Sequence, residues 1–438
     1  MADWSQLPTD LLGLIAKRLD TSFDLFRFRH VCSTWRSSVT PTRRRFPGRF
    51  PLLPNENNSK NFFSSSFGFS LSKRTVFVIR SRHNATSWLI KVKEDESNRK
   101  HLLNPLKRHR FDFAKVLDIQ NLSLLEIGHE YVLNYINYPP NSLNDACTLY
   151  MEKLILMHLD QKSDLGGFVL LTIHVSGKLA IYTSENKDWV ILEQMPSPYD
   201  DVILFKGKFY AVDNTGRIVY VDHSCFDVNL VANPVFGGDK KYLVQCKGDL
   251  LLVDMYLSID ATVDSSFSNE YFEHEPQLAY CMSERTVMFK VFRLDWKQKE
   301  WIEVKNLRDH VLFLGEDCVF STSADDLGVS KGNCILFVDN LFYLSGEGDG
   351  SDCGHGVGVF DLESGCIKPL ENCPELSKLF WPPPAWFSPT VLEVSVIFLL
   401  WFFVNCFSLN SSANSAGLVI ARVLCSVLSL ALSKAPRI

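Results

Sequence analysis

Between Gly346 and Gly358 the chain reads GEGDGSDCGHGVG, its densest gathering of residues able to do chemistry. A phosphate-cradling loop needs the order G-x-x-x-x-G-K-S/T and a helix behind it. No lysine is present here, and the strand-like Val357 to Phe360 follows. Glu347, Asp349 and Asp352 could face calcium, but the twelve-residue spacing of a calcium loop is missing. Cys353 and His355 lie two residues apart, and a thiol nucleophile needs a second partner to orient its base. The run reads as a hairpin loop.

Other candidates fare similarly. Residues 258–283 hold five carboxylates, Asp260, Asp264, Glu270, Glu273 and Glu275, without a lysine or arginine. They read as an insertion carried on one blade, or as an acidic interaction loop. Twelve cysteines are scattered without a C-x-x-C, and the closest pair, Cys366 and Cys373, has no matching histidine pair. Reduced thiols and no zinc are expected. Arg43 to Arg45 could be a nuclear-import signal or a nucleic-acid contact, or a solvated helix end. Trp189, Trp296 and Trp301 suit core packing better than a ligand cage. No catalytic residue, metal ligand or cofactor site emerges.

The elements around these residues are more informative. From Trp4 to Val39 the chain reads as three short helices. Pro8 stands where a first helical turn tolerates its missing N–H. Leu7, Leu11, Leu12, Ile15 and Leu19 recur at helical spacing. Asp20, Thr21 and Ser22 offer a stop and a new N-cap. Leu25, Phe26 and Phe28 follow, and Val31, Cys32 and Trp35 fall on a third helix. So small a unit buries little area and needs a partner or a larger body.

The pattern LPxDLLxxIxxRL, then DLxxFRxVCxxWRS, orders about a dozen positions. It resembles the F-box. That resemblance implies docking on a Skp-type adaptor, and through it on a cullin–RING ubiquitin ligase. It assigns adaptor contact to Leu7, Pro8, Leu11, Leu12, Ile15, Leu19, Phe26, Val31, Cys32 and Trp35. Each aliphatic side chain fully buried there is worth roughly 1.5–3 kcal/mol. The bland reading is a helical cap on the following domain.

Beyond the helices, Pro41, Pro47, Pro51 and Pro54 and the Asn- and Ser-rich 55–66 read as a linker. From about 67 to 387 short apolar runs alternate with turn residues. Strands are expected at 75–79, 87–92, 168–175, 178–183, 188–192, 202–205, 208–212 and 217–221. More are expected at 250–255, 286–294, 301–304, 334–338, 341–344 and 357–360. Ser176-Gly177, Lys206-Gly207 and Lys247-Gly248 supply hairpin turns. Gly177-Lys178 and Gly207-Lys208 suggest a repeat, and four-stranded repeats are the mark of propeller blades. At roughly 40–50 residues per blade, six or seven are expected.

The residues Trp88 to Ile90, Leu102 to Leu106 and KGNCILFVD ending at Asp339 carry a second likeness, as do GVFDLESG ending at Gly365 and LFWPPPAW ending at Trp386. They resemble the propeller-like domain of the KIB/SKIP type that plants pair with F-boxes. The family implies capture of a protein for ubiquitylation, without naming that protein.

The fold class expected is therefore an all-β propeller-like domain behind a small all-α three-helix F-box. The domains are the F-box at 3–45, a linker at 46–66, the propeller at 67–387 and a hydrophobic tail at 388–438. In that tail 394–407 is apolar but shorter than the about 20 residues a bilayer span needs. A second run carries Arg422 near its middle. The tail is either appended sequence that does not pack on the propeller or a membrane anchor. The formal net charge of −5 argues against nucleic acid as a partner. The start lacks a signal peptide, the sequons at Asn84 and Asn121 carry no weight in a cytosolic chain, and cytoplasm or nucleus is expected. Two function classes follow: a non-catalytic substrate receptor of a ubiquitin ligase, or a ligand-binding or enzymatic propeller with a helical cap.

Overall fold

The computed structural model describes residues 6–16, 18–19, 22–29, 31–39, 47–53, 68–81, 87–94, 100–107, 122–136, 153–159, 167–193, 197–263, 280–316, 318–338 and 356–380. Arg43 to Arg45, the sequon asparagines Asn84 and Asn121, the strand at 341–344, the acidic 264–279, the glycine-rich loop through His355 and the tail at 388–438 lie outside the described residues.

Three helices open the chain: α1 (Thr9–Ala16), α2 (Ser22–Arg29) and α3 (Ser33–Ser38). The first blade is built from β1 (Gly68–Ser81), β2 (Ser87–Glu94), β3 (Lys100–Leu103) and β4 (Leu122–Ile136), with β4 innermost. The second runs β5 (Lys153–His158), β6 (Phe168–Ile173), β7 (Leu179–Thr183) and β8 (Trp189–Leu192) from inside to outside. The third repeats this with β9 (Tyr199–Phe205), β10 (Lys208–Asp213), β11 (Ile218–Val221) and β12 (Val228–Ala232). The fourth comprises β13 (Lys240–Cys246), β14 (Asp249–Val263), β15 (Tyr280–Asp295) and β16 (Glu300–Glu303). The fifth orders its strands β18 (Val319–Ser323), β17 (His310–Leu314), β19 (Cys334–Val338), β20 (Val357–Asp361) and β21 (Cys366–Pro369).

The ring closes on five apolar seams. One cluster joins each neighbouring pair of blades, and the last sets Val76, Val78 and Leu89 of the first blade against Val311, Phe313 and Leu336 of the fifth. Leu379 and Phe380 fill that seam, and Leu89 N–H donates to the Leu379 carbonyl at 2.9 Å. The innermost strands β4, β5, β9, β13 and β18 stand side by side around the axis. Among the described residues the propeller therefore has five blades, which corrects the six or seven expected. The reason is strand length: β1, β4, β14 and β15 run 14, 15, 15 and 16 residues, far beyond the usual five or six or so. Chain that would have made further blades is spent on long ribbons.

The repeat also shifts. Gly177 turns between β6 and β7, whereas Gly207 turns between β9 and β10, one strand earlier in its blade. The turn equivalent to Lys206-Gly207 is Lys247-Gly248, and both two-residue hairpins place a lysine at positive φ, 48° and 51°, before glycine at 72° and 81°. These are the angles of a type I′ turn, where glycine carries no Cβ to clash.

The expected linker is not all loop. Phe50 exchanges both backbone hydrogen bonds with Phe69, at 2.8 and 2.9 Å, and its ring is fully buried among Phe168, Tyr182 and Trp189 between the first two blades. Trp189 Nε1 donates to the Pro51 carbonyl at 3.0 Å. An aromatic side chain supplies more apolar area than the flanking prolines and asparagines suggest. Phe50→Ala is expected to lower unfolding stability by about 3–5 kcal/mol, and Leu52→Ala, at a half-buried site, by much less. Denaturant titration of the two variants checks this.

Candidate functional site

The helical unit holds itself together through few side chains. Leu12 is fully buried, Phe28 is 5% exposed, and the Phe28 and Trp35 rings meet at 4.6 Å. Arg36 Nε donates to the Arg29 carbonyl at 3.3 Å, and the Arg29 guanidinium donates to the Val39 carbonyl. These bonds fasten α3 to the end of α2.

What this small core leaves uncovered is the informative part. Leu11 is 48% exposed, Leu14 59%, Ile15 39% and Val31 55%. Leu11, Leu14 and Ile15 stand at i, i+3 and i+4, hence on one face of α1. Pro8 is exposed beside them, while Leu7, Leu19, Cys32 and Trp35 are half-buried. The Phe26 side chain lies outside the described residues. Leu12, expected on the presented face, is fully buried in the free unit, and Leu14, not among the expected contacts, is exposed on the face of Leu11 and Ile15.

At the propeller axis the inner strands enclose a channel of about 580 Å³, lined among others by Glu126, His129, Lys153, Lys247, His310 and Asp326. Its charges are paired. His129 Nδ1 lies 3.3 Å and Lys73 Nζ 3.8 Å from Glu126. Burial pushes the Glu126 pKa up, but the His129 hydrogen bond and the Lys73 charge outweigh it and leave it lowered. Lys247 Nζ and His310 Nδ1 meet Asp309 at 2.5 and 3.1 Å. The Lys247 bond, then that of His310, draws the Asp309 pKa down to about 2. Lys153 Nζ donates to both Asp201 oxygens, at 2.7 and 2.9 Å. Ser321 Oγ donates to the Gln245 carbonyl and Ser323 Oγ to Asp326, each at 2.7 Å. The Lys153–Asp201 and Ser321–Gln245 contacts tie neighbouring inner strands together.

Elsewhere, Cys334 opens β19 within the fifth blade, where burial, and then the Asp361 charge, push its thiol up to about 12. A thiol so protonated is a poor nucleophile. Among the described residues no three His, Cys, Asp or Glu side chains gather as metal ligands would, and no helix is long and apolar enough to cross a membrane. The tryptophans divide. Trp189 is buried, and half-buried Trp301 donates to the Gly216 carbonyl at 3.0 Å, whereas Trp296 remains 40% exposed.

Comparison with known proteins agrees with both halves of this architecture. The F-box domain matches residues 4–46, and the KIB1-4 beta-propeller matches residues 62–361. The chain is similar to the F-box protein SKIP23 of Arabidopsis thaliana, 45% identical over 399 residues that cover 88% of this chain and 96% of that protein. It is also similar to the F-box protein At2g17036 of Arabidopsis thaliana, 33% identical over 402 residues, covering 88% of this chain and 95% of the relative.

Proposed function

This chain belongs to the F-box proteins that carry a KIB1-4 beta-propeller, and from that we infer that it is the substrate-recognition subunit of an SCF-type ubiquitin ligase. One observation carries the reading beyond family membership. The helical unit leaves Leu11, Leu14, Ile15 and Val31 in water, an apolar face that the chain's own fold does not cover. The face takes a Skp-type adaptor, and the propeller takes the protein to be modified. Burying those side chains, with Pro8 and the half-buried Leu7 and Trp35 at the rim, offsets the loss of translational and rotational freedom on association.

Affinity purification of the tagged chain, followed by mass spectrometry, tests this by reporting adaptor, cullin and target together. Absence of adaptor and cullin from a folded bait would reject the reading. The chain is a receptor and not a carrier of ubiquitin. Incubated with charged conjugating enzyme, none of its cysteines is expected to form a thioester, and a reducible ubiquitin adduct would overturn the receptor role. It works in the cytoplasm or the nucleus, which imaging of the tagged chain checks.

The propeller needs nothing beyond about residue 387. Leu379 and Phe380 already fill the closing seam, and the compact unit that holds the described residues ends at Pro383. A chain ended at Phe387 is expected to melt within a degree or two of the full chain, since surface and terminal changes away from packed features move stability by less than about 0.5 kcal/mol. It should also stay more soluble and keep its adaptor. A large fall in melting temperature would make 388–438 part of the propeller. Membrane fractionation of the full chain that is lost on truncation would make it an anchor.

A further inference from the structure

At the seam of the third and fourth blades an indole stands outside the core on which it stacks. Trp296, in the turn between β15 and β16, is 40% exposed. Its ring lies on that of buried Phe205, with centroids 5.8 Å and planes 3° apart. Tyr210 meets it edge-on at 5.6 Å, and Tyr220 continues the row 6.0 Å beyond. Three of these rings belong to the third blade and Trp296 to the fourth, so the row bridges the seam.

Both turns that form the rim are held in place. Asp295 Oδ1 accepts from the Lys297 and Gln298 backbone N–H groups, at 2.8 and 3.1 Å, and Lys299 N–H returns to the Asp295 carbonyl at 2.8 Å. Across the seam, Lys206-Gly207 is a closed two-residue hairpin. A surface ordered in advance loses little entropy when something binds to it.

The rim is cationic. Lys206 Nζ lies 4.9 Å over the Phe205 ring, and Lys208 Nζ 5.2 Å over that of Tyr220. Lys297 follows Trp296 directly. Unlike the cations of the channel, none of these three forms an ion pair among the described residues. The nearby carboxylates of Asp222 and Asp295 are engaged by backbone N–H groups of their own turns, and Glu300 stands across the hairpin from Asp295. An exposed, pre-ordered indole among lysines that make no contact ion pair complements a segment that is both acidic and apolar.

We propose that the seam at Trp296 is where the propeller holds the captured protein, and that it takes an exposed acidic segment bearing an aromatic or large aliphatic side chain. The proposal rests on the receptor reading above. The apolar side chain lies against the free part of the indole, and its acidic neighbours face Lys206, Lys208 and Lys297. Single-stranded nucleic acid would also find stacking and cations here; the receptor reading favours a protein segment, and the nucleic acid is an outcome of the test.

Selection from a random peptide library on the full chain tests this, run in parallel on Trp296→Ala and on Lys206→Glu/Lys208→Glu. The unsubstituted chain is expected to enrich Asp and Glu around Phe, Tyr, Trp or Leu. A synthetic peptide from that pool should bind each variant about tenfold or more weakly, as loss of an interface anchor does, and should weaken with added salt. The lysine variant should melt as the unsubstituted chain does, and Trp296→Ala, which gives up its stacking on Phe205, somewhat lower while remaining folded. A pool without acidic enrichment, or a selected peptide that both variants bind undiminished, overturns the proposal. So does a single-stranded oligonucleotide that displaces the peptide with higher affinity. Adaptor capture is read on the same samples: its absence with peptide binding intact refutes the receptor reading and leaves the seam standing.

Discussion

Replacing Leu11 and Ile15 together by aspartate is expected to abolish capture of a Skp-type adaptor and to leave the propeller's unfolding transition where it was. Both side chains are substantially exposed in the free chain, so the substitutions cost the free fold little. In the complex they must lose water, and an unpaired carboxylate resists that strongly. Under half of each side chain's area is left for the adaptor to bury, so the two lost contacts alone remove roughly 1.5–3 kcal/mol, on the order of 10 to 10² in affinity. Calorimetry with purified adaptor measures the loss, and thermal melting of the same sample checks the propeller. Leu12→Asp should also lose the adaptor, but by a different route: its carboxylate would sit in the fully buried heart of the helical unit and unfold it. Circular dichroism of the helices separates the two cases. Undiminished binding by the double variant would refute the assignment of this face.

The second large effect concerns the propeller itself. Lys241 Nζ and Asp254 Oδ1 meet at 2.6 Å with no exposed side-chain surface on either residue. Their remaining atoms hold the connection between the third and fourth blades: Lys241 Nζ donates to the Gly238 carbonyl at 2.6 Å, and Gly238 N–H donates to Asp254 at 3.0 Å. Lys241→Met leaves a buried carboxylate without its cation and is expected to cost about 3–5 kcal/mol. Lys241→Met with Asp254→Leu removes both charges, so its cost should be well below that of the single change, although Gly238 then loses its partners. Urea titrations of the three proteins decide it. Equal midpoints for the single and double variants would show that the pair is not what holds this connection.

How much of this was legible in the residues depended on which face a strand turns to the axis. Outer and middle strands such as β7 (LAIYT) and β19 (CILFV) are buried along nearly their whole length, and unbroken apolar runs announce them. The inner strands β4, β5, β13 and β18 were not anticipated. Each lines or borders the channel, so its sequence carries Glu126, Glu130, Lys153, Lys241 or Ser321 among the apolar residues, and the run looks broken. The F-box motif, by contrast, stood out because its order of residue types is long and local. It could not tell Leu12 from Leu11, since adjacent leucines on a short helix are separated only by what the second and third helices cover. The seam at Trp296 was invisible for another reason: Phe205, Tyr220 and Trp296 are far apart in sequence, and only the ring of blades brings them into one row.

The buried ring of Phe50 also fixes how far the ligase can reach. It pins the chain to the first two blades just after the helices, leaving seven residues, 40–46, between Val39 and Pro47. Eight Cα steps, however extended, span no more than about 28 Å. Whatever the propeller grips is thereby held on a short leash from the docked adaptor, inside a bounded working radius for the conjugating enzyme. Only lysines within that radius are presented often enough to be modified, because a tethered group's effective concentration falls steeply as its tether lengthens. Spacer residues added at 40–46 would widen the zone of modified lysines and slow each one. Freeing Phe50 from its seat would do the same without adding a residue.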